Sequence, residues 1–202
     1  IIYTGSADGK VHVSSDFGLT FTDVTTGLPD RSVTAIKASP YDSNEVIVSL
    51  SGYKGNDFSP HLMRSTDRGQ TWQSAAGDLP MYGLNDVLYD PEADSILVVA
   101  SDDGVYASPN SGQNWERVGL DMPTVPMYDM DWDLGTRKLI VGSYARSMFS
   151  FPLDSLRPTS LVNVVEPKNP AWTVFPLRDQ GGSPGQSSRS NTWFSTVLGD
   201  KC

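Results

Sequence analysis

Cysteine is nearly missing from this chain: Cys202, the last of 202 residues, is the only one. A disulfide framework and a cysteine-based metal site are therefore excluded within one copy. Histidine is almost as scarce, with His12 and His61 alone. Neither stands in a Ser, Cys or Asp pattern that marks a nucleophile or a metal centre, so both read as surface or packing residues. No metal and no cofactor is expected. Positive charge is in deficit, with 15 basic residues against 24 acidic ones and a formal net charge of −9. That balance argues against a nucleic-acid surface and an anionic membrane, which both want basic patches. No apolar run is long enough to span a bilayer, and no signal-peptide pattern is visible. Helical spacing of apolar residues does not recur in residues 1–153.

What is present points to strands. Eighteen Gly and 14 Pro punctuate short apolar runs, while five Trp and eight Tyr supply bulk for packing. One eight-residue segment, STDRGQTW from Ser65, nearly recurs as SSDFGLTF from Ser14 and SPNSGQNW from Ser108. Each is followed by an apolar-Pro pair: Leu28-Pro29, Leu79-Pro80 and Met122-Pro123. Then comes an alternating run (VTAIKASP, LNDVLYDP, MYDMDWDL) and an apolar strand (EVIVSL, SILVVAS, KLIVGSY). The opening IIYTGSADG matches ILVVASDDG, so the chain starts inside this cycle. The longer first spacing is placed in the loop SGYKGNDFSPH. A unit of about 43 residues with four short, half-buried strands is the signature of a propeller blade. The expected fold is all-β: a β-propeller of four-stranded antiparallel blades, about three and a half of them, with a poorly structured C-terminal tail.

The eight-residue segment reads as the hairpin joining the last two strands of a blade. Asp67 stands where a short carboxylate accepts N–H bonds from its own tight loop, and Gly69 supplies a positive φ. Ser65 and Thr71 are expected to face each other across the hairpin, with Trp72 as a plug beneath it. The three segments resemble the Asp-box, or BNR, repeat S/T-x-D-x-G-x-T-W/F. The structural set is Ser14, Asp16, Gly18 and Phe21; Ser65, Asp67, Gly69 and Trp72; and Ser108, Asn110, Gly112 and Trp115. The third segment departs from the pattern, with Asn110 for Asp and Asn114 for Thr. The resemblance covers residues 1–153. It implies a relative of sialidases, xyloglucan-type glycoside hydrolases, sortilin-type receptors or photosystem II stability factors, with the box on the outer edge of each blade.

Function is expected at the opposite end, on the loops between second and third strands and on the blade connections. Tyr53, Lys54, Asp57 and Phe58 in the long loop are candidate ligand contacts, as are Tyr144 and Arg146 in GSYARSMF. The weaker catalytic candidates are Asp86, Asp129 and Asp131. Asp129 and Asp131 share a strand face about 7 Å apart, within the roughly 5–9 Å that glycoside hydrolysis needs between its carboxylates. The arginine triad and Tyr–Glu pair of a sialidase are missing, and a cysteine-rich module like that of sortilin-type receptors has no counterpart here. The expected function is a non-catalytic scaffold or binding module for glycan or protein, secreted or periplasmic and bacterial. The alternative is a fragment of a glycoside hydrolase. Residues 1–153 are expected to form part of a larger propeller, with its remaining blades as partner. Residues 154–178 are a linker or extra strands; TSLVNVV and AWTVFPL in that stretch would complete a small four-bladed ring. Residues 179–202 are a Gly/Ser-rich flexible tail.

Overall fold

The computed structural model describes residues 1–119 and 122–156, together with the backbone of Thr173–Phe175. TSLVNVV and residues 179–202 lie outside the described residues. Four antiparallel sheets follow one another along the chain. The first holds β1 (Ile2–Gly5), β2 (Val11–Ser14) and β3 (Thr22–Asp23). The second holds β4 (Ser32–Ala38), β5 (Val46–Gly52), β6 (Asp57–Ser65) and β7 (Gln73–Ser74). The third holds β8 (Leu84–Tyr89), β9 (Leu97–Ser101), β10 (Val105–Ser108) and β11 (Glu116–Val118). The fourth holds β12 (Met127–Asp133), β13 (Lys138–Ser143), β14 (Met148–Pro152) and β15 (Thr173–Phe175). Each sheet runs in sequence order, and the innermost strands β4, β8 and β12 contact their successors. This is the blade arrangement of a β-propeller.

The hydrophobic core lies between blades. One cluster joins Val11 and Val24 of the first blade to Val46, Val48 and Leu50 of the second. The next joins Ile47 and Leu62 to Val87, Leu97, Val99 and Trp115. The last joins Val98, Ala100 and Val118 to Met130, Leu139, Val141 and Phe151. Successive residues of β5 and β9 thus enter different clusters. The expectation that every strand is half-buried is corrected here: β9 is buried at all five positions. A strand sandwiched between two neighbours reads as a continuous apolar run.

The three hairpins share one network. The Ser14, Ser65 and Ser108 hydroxyls accept the N–H of Gly18, Gly69 and Gly112 at 2.8, 2.7 and 2.8 Å. Ser14 and Ser65 donate to Asp16 and Asp67 at 2.7 Å. Thr20 and Thr71 do not meet the serines directly. Their hydroxyls donate to the same carboxylates, both at 2.6 Å, and so do their N–H groups. These bonds, the threonine hydroxyl's first, pull the Asp67 carboxyl down to about 2. The third hairpin forms the same loop with amides, Asn110 Nδ2 donating to Asn114 Oδ1 at 3.0 Å. The Trp72 indole donates to Val24 O of the preceding blade, and Trp115 to Ala75 O. Phe21, without an N–H to give, is 47% exposed. Gly112 is required twice: its φ is +88°, and a Cβ there would lie 2.4 Å from Ala75 O.

Gly112→Ala is therefore expected to lower stability by at least about 1–3 kcal/mol, measured by urea unfolding. Asp67 and Asp16, both held near 2 against an ordinary 3.8, stabilise the fold above the ordinary value. That contribution is lost as pH falls from about 4 through 2. The double variant Asp16→Asn, Asp67→Asn should flatten the fall of thermal midpoint with pH across that window. An unchanged slope would show that the carboxylates carry none of it.

Candidate functional site

At the end of the blades opposite the hairpins, each innermost strand breaks its ladder with a bulge. The register shifts fall between Val33 and Ala35, Leu84 and Asp86, and Met127 and Asp129. The extra residues are Thr34, Asn85 and Tyr128, which occupy one repeat position. A bulge re-aims the residue it adds. A second set of equivalent positions ends the second strands: Ala7, Ser51, Asp102 and Tyr144. Their place is fixed by pairing, since Ser51 opposes Ser32, while Asp102 and Tyr144 donate N–H bonds to Gly83 O and Pro126 O.

All seven residues line one groove of about 700 Å3, with Ser32, Tyr53, Lys54 and Pro126. Tyr128 and Tyr144 meet edge to face at 6.0 Å and stay 53% and 64% exposed. Asn85 Nδ2 donates to Asp102 Oδ1 at 2.9 Å and to Met127 O at 3.0 Å, tying the third blade to the fourth. A neighbouring cleft of about 420 Å3 shares Ala7, Ser32, Ser51 and Lys54, and adds Asp8, Asp30 and Arg31.

The candidate contacts are distributed unevenly. Tyr53, Lys54 and Tyr144 line the groove. Phe58 packs edge-on against Tyr53 at 6.2 Å but is not part of the lining. Arg146 is exposed beyond Tyr144 and also outside it. Asp57 faces the protein. Its Oδ2 takes Arg31 Nε and His61 Nε2, each at 2.8 Å, while Oδ1 takes the Ser59 N–H. The His61 bond, then Ser59 and Arg31, hold its carboxyl well below the usual range. His61, read as a surface or packing residue, is thus part of a clamp with Arg31. The stretch SGYKGNDFSPH is also more ordered than a loop. Gly52 pairs with Asp57, and a single 3-10 turn, Tyr53–Gly55, closes the hairpin.

The acidic candidates separate as well. Asp129 and Asp131 are exposed, but Asp86 is 4% exposed, between three inner strands. Its Oδ2 accepts the Met130 N–H at 2.9 Å, Oδ1 accepts the Val87 N–H, and Lys37 Nζ stands 3.7 Å away. Burial nevertheless pushes its carboxyl up. Among the described residues no group of three or more His, Cys, Asp or Glu could hold a metal ion. Sequence reasoning missed Thr34, Asn85, Asp102 and Tyr128. The available signal was the two repeat positions they occupy, each filled by a different residue from blade to blade.

No family model matches the chain. It is 25% identical over 122 residues to sortilin of Rattus norvegicus, covering 58% of this chain and 14% of that protein. It is 30% identical over 114 residues to the xyloglucanase Xgh74A of Acetivibrio thermocellus, covering 50% and 13%. The chain thus spans about a seventh of the length of these relatives. Among solved structures, the β-propeller domain of Cps50 (Swd1) from Myceliophteria thermophila superposes with a TM-score of 0.58 over 79% of this chain and half of that one. At 11% identity that likeness shows the fold alone. The chain is a run of β-propeller blades with weak homology to sortilin and to xyloglucanases.

The Asp57 clamp makes a direct prediction. Asp57→Ala should speed amide hydrogen exchange several-fold at Tyr53–Gly55 and Asn56, leaving the inter-blade strands protected. Equal protection in the variant would mean that the hairpin holds its shape without the carboxylate.

Proposed function

We propose that these blades form a non-catalytic carbohydrate-binding surface of a propeller that works outside the cytoplasm. The observation that carries this reading is the groove itself. Its walls are built from positions where the repeat keeps the backbone and changes the side chain. Three of those side chains and their neighbours (Tyr53, Tyr128 and Tyr144) offer exposed ring faces. A sugar ring stacks on such faces, and its hydroxyls are taken by Ser51, Thr34, Asn85 and Asp102, the usual mixture of apolar wall and few polar groups. Tyr53, Lys54 and Tyr144 are contacts, Phe58 braces Tyr53, and Arg146 extends the rim. Asp57 acts only through the hairpin it clamps. The three repeated hairpins are Asp-boxes with a structural role, a reading supported by their common serine–glycine–carboxylate network.

One observation favours hydrolysis as a second reading. Asp86 carries a raised carboxyl next to Asp129, as a proton donor needs, and a relative of this chain is a xyloglucanase. Against it, both Asp86 oxygens accept backbone N–H bonds and serve to join β8 to β12.

Tyr144→Ala combined with Tyr128→Ala is expected to weaken binding to an oligosaccharide found by array screening at least tenfold, about 1.4 kcal/mol or more. Unaltered affinity in the double variant would sink the groove as the binding site. Asp129→Asn with Asp131→Asn separates the two readings. Release of reducing ends from xyloglucan that disappears in this variant would favour hydrolysis.

A further inference from the structure

We infer that the groove selects ligands bearing ammonium groups, so that its carbohydrate, on the reading above, is an amino-sugar chain. Three observations meet at one place. Asp102 stands half-buried at a ring position, with Oδ1 held by Asn85 and Oδ2 receiving no hydrogen bond among the described residues. The same Asn85 amide binds Met127 O, which sets this carboxylate beside the segment carrying Tyr128. Tyr128 and Tyr144 then present an edge-to-face pair with both rings open to the groove. A carboxylate lining the same groove as two exposed tyrosine rings is a setting for a cation, which gains from the charge and from the ring quadrupoles together.

The sign of the surrounding field agrees. Lys54 is the cation lining the groove, and Arg31 lines the adjoining cleft. Arg31 is already paired with Asp57 at 2.8 Å. Among the side chains that line groove and cleft, that leaves Lys54 against Asp8, Asp30 and Asp102, with Arg146 outside the lining and Lys10 acting on Asp8 from beyond it. A uronate or sulfated sugar would meet more carboxylate than ammonium here. A protonated glucosamine meets the reverse, while its hydroxyls still find carboxylate and serine acceptors.

The test compares two ligands of one shape by calorimetry in mildly acidic buffer: a glucosamine hexamer and the fully N-acetylated hexamer, with cellohexaose as a third, neutral probe. The glucosamine hexamer should bind about tenfold tighter than its acetylated counterpart and lose that margin in about 0.5 M salt. Asp102→Asn keeps an oxygen for Asn85, and should abolish the margin by weakening the glucosamine hexamer more than the N-acetylated one. Equal or weaker binding of the free amine, with either neutral hexamer still bound through Tyr144, overturns the ammonium inference and leaves the carbohydrate reading standing. Binding of a lysine hexapeptide but of no sugar overturns the amino-sugar assignment and the carbohydrate reading together, in favour of a protein ligand. Failure of every probe overturns both as well.

Discussion

Among the described residues, no blade has a core of its own. Its apolar side chains point into the seams on either side, and each seam is filled only when the next blade arrives. Burying one Leu or Val of these seams is worth roughly 1.5–3 kcal/mol, whereas a lone four-stranded sheet would leave both faces of β5 or β9 wet. The double burial of Val46–Leu50 and Leu97–Ser101 therefore fixes the angle between blades. The shape of the groove is set by that packing, because its lining residues come from successive blades.

The seams are closed at the outer edge by the repeated hairpins. Their chemistry is local, but its consequence is not. The serine–glycine–carboxylate network shapes the turn so that the tryptophan behind it reaches the carbonyl of the blade before. The glycine that shapes the turn also lets the two backbones touch. Asp86 does similar work at the inner edge, where its two oxygens bind β8 and β12. The carboxylates that look most chemical in the sequence thus divide into those used for assembly and those left to water.

The groove face follows the opposite logic. Each bulge adds a residue that the ladder does not need, so Thr34, Asn85 and Tyr128 are free to differ. The hairpin that brings Tyr53 and Lys54 to the rim is held by Asp57, Arg31 and His61, side chains from the first blade connection and from β6. The proposed recognition surface thereby lies on positions that the fold leaves unconstrained, supported by others that it constrains strongly.

The sequence by itself determined the fold. Three copies of one turn chemistry, the apolar-Pro pairs and the alternating runs required blades, because hairpin bonds and strand periodicity act between residues close in the chain. It also singled out Tyr53, Lys54 and Tyr144, which interrupt plain turns and lie in the groove lining. It did not disclose that Asp57 binds Arg31 and His61 or that Asp86 is buried, and it passed over Asn85, Asp102 and Tyr128. Apart from His61, which meets Asp57 four residues away on its own strand, they depend on partners in another strand or blade, 17 residues away for Asn85 with Asp102 and 44 for Asp86 with Met130. Only the tertiary structure decides such pairs, for two reasons. A bulge is a register event between strands, and a groove is the space that separate repeats leave when they pack.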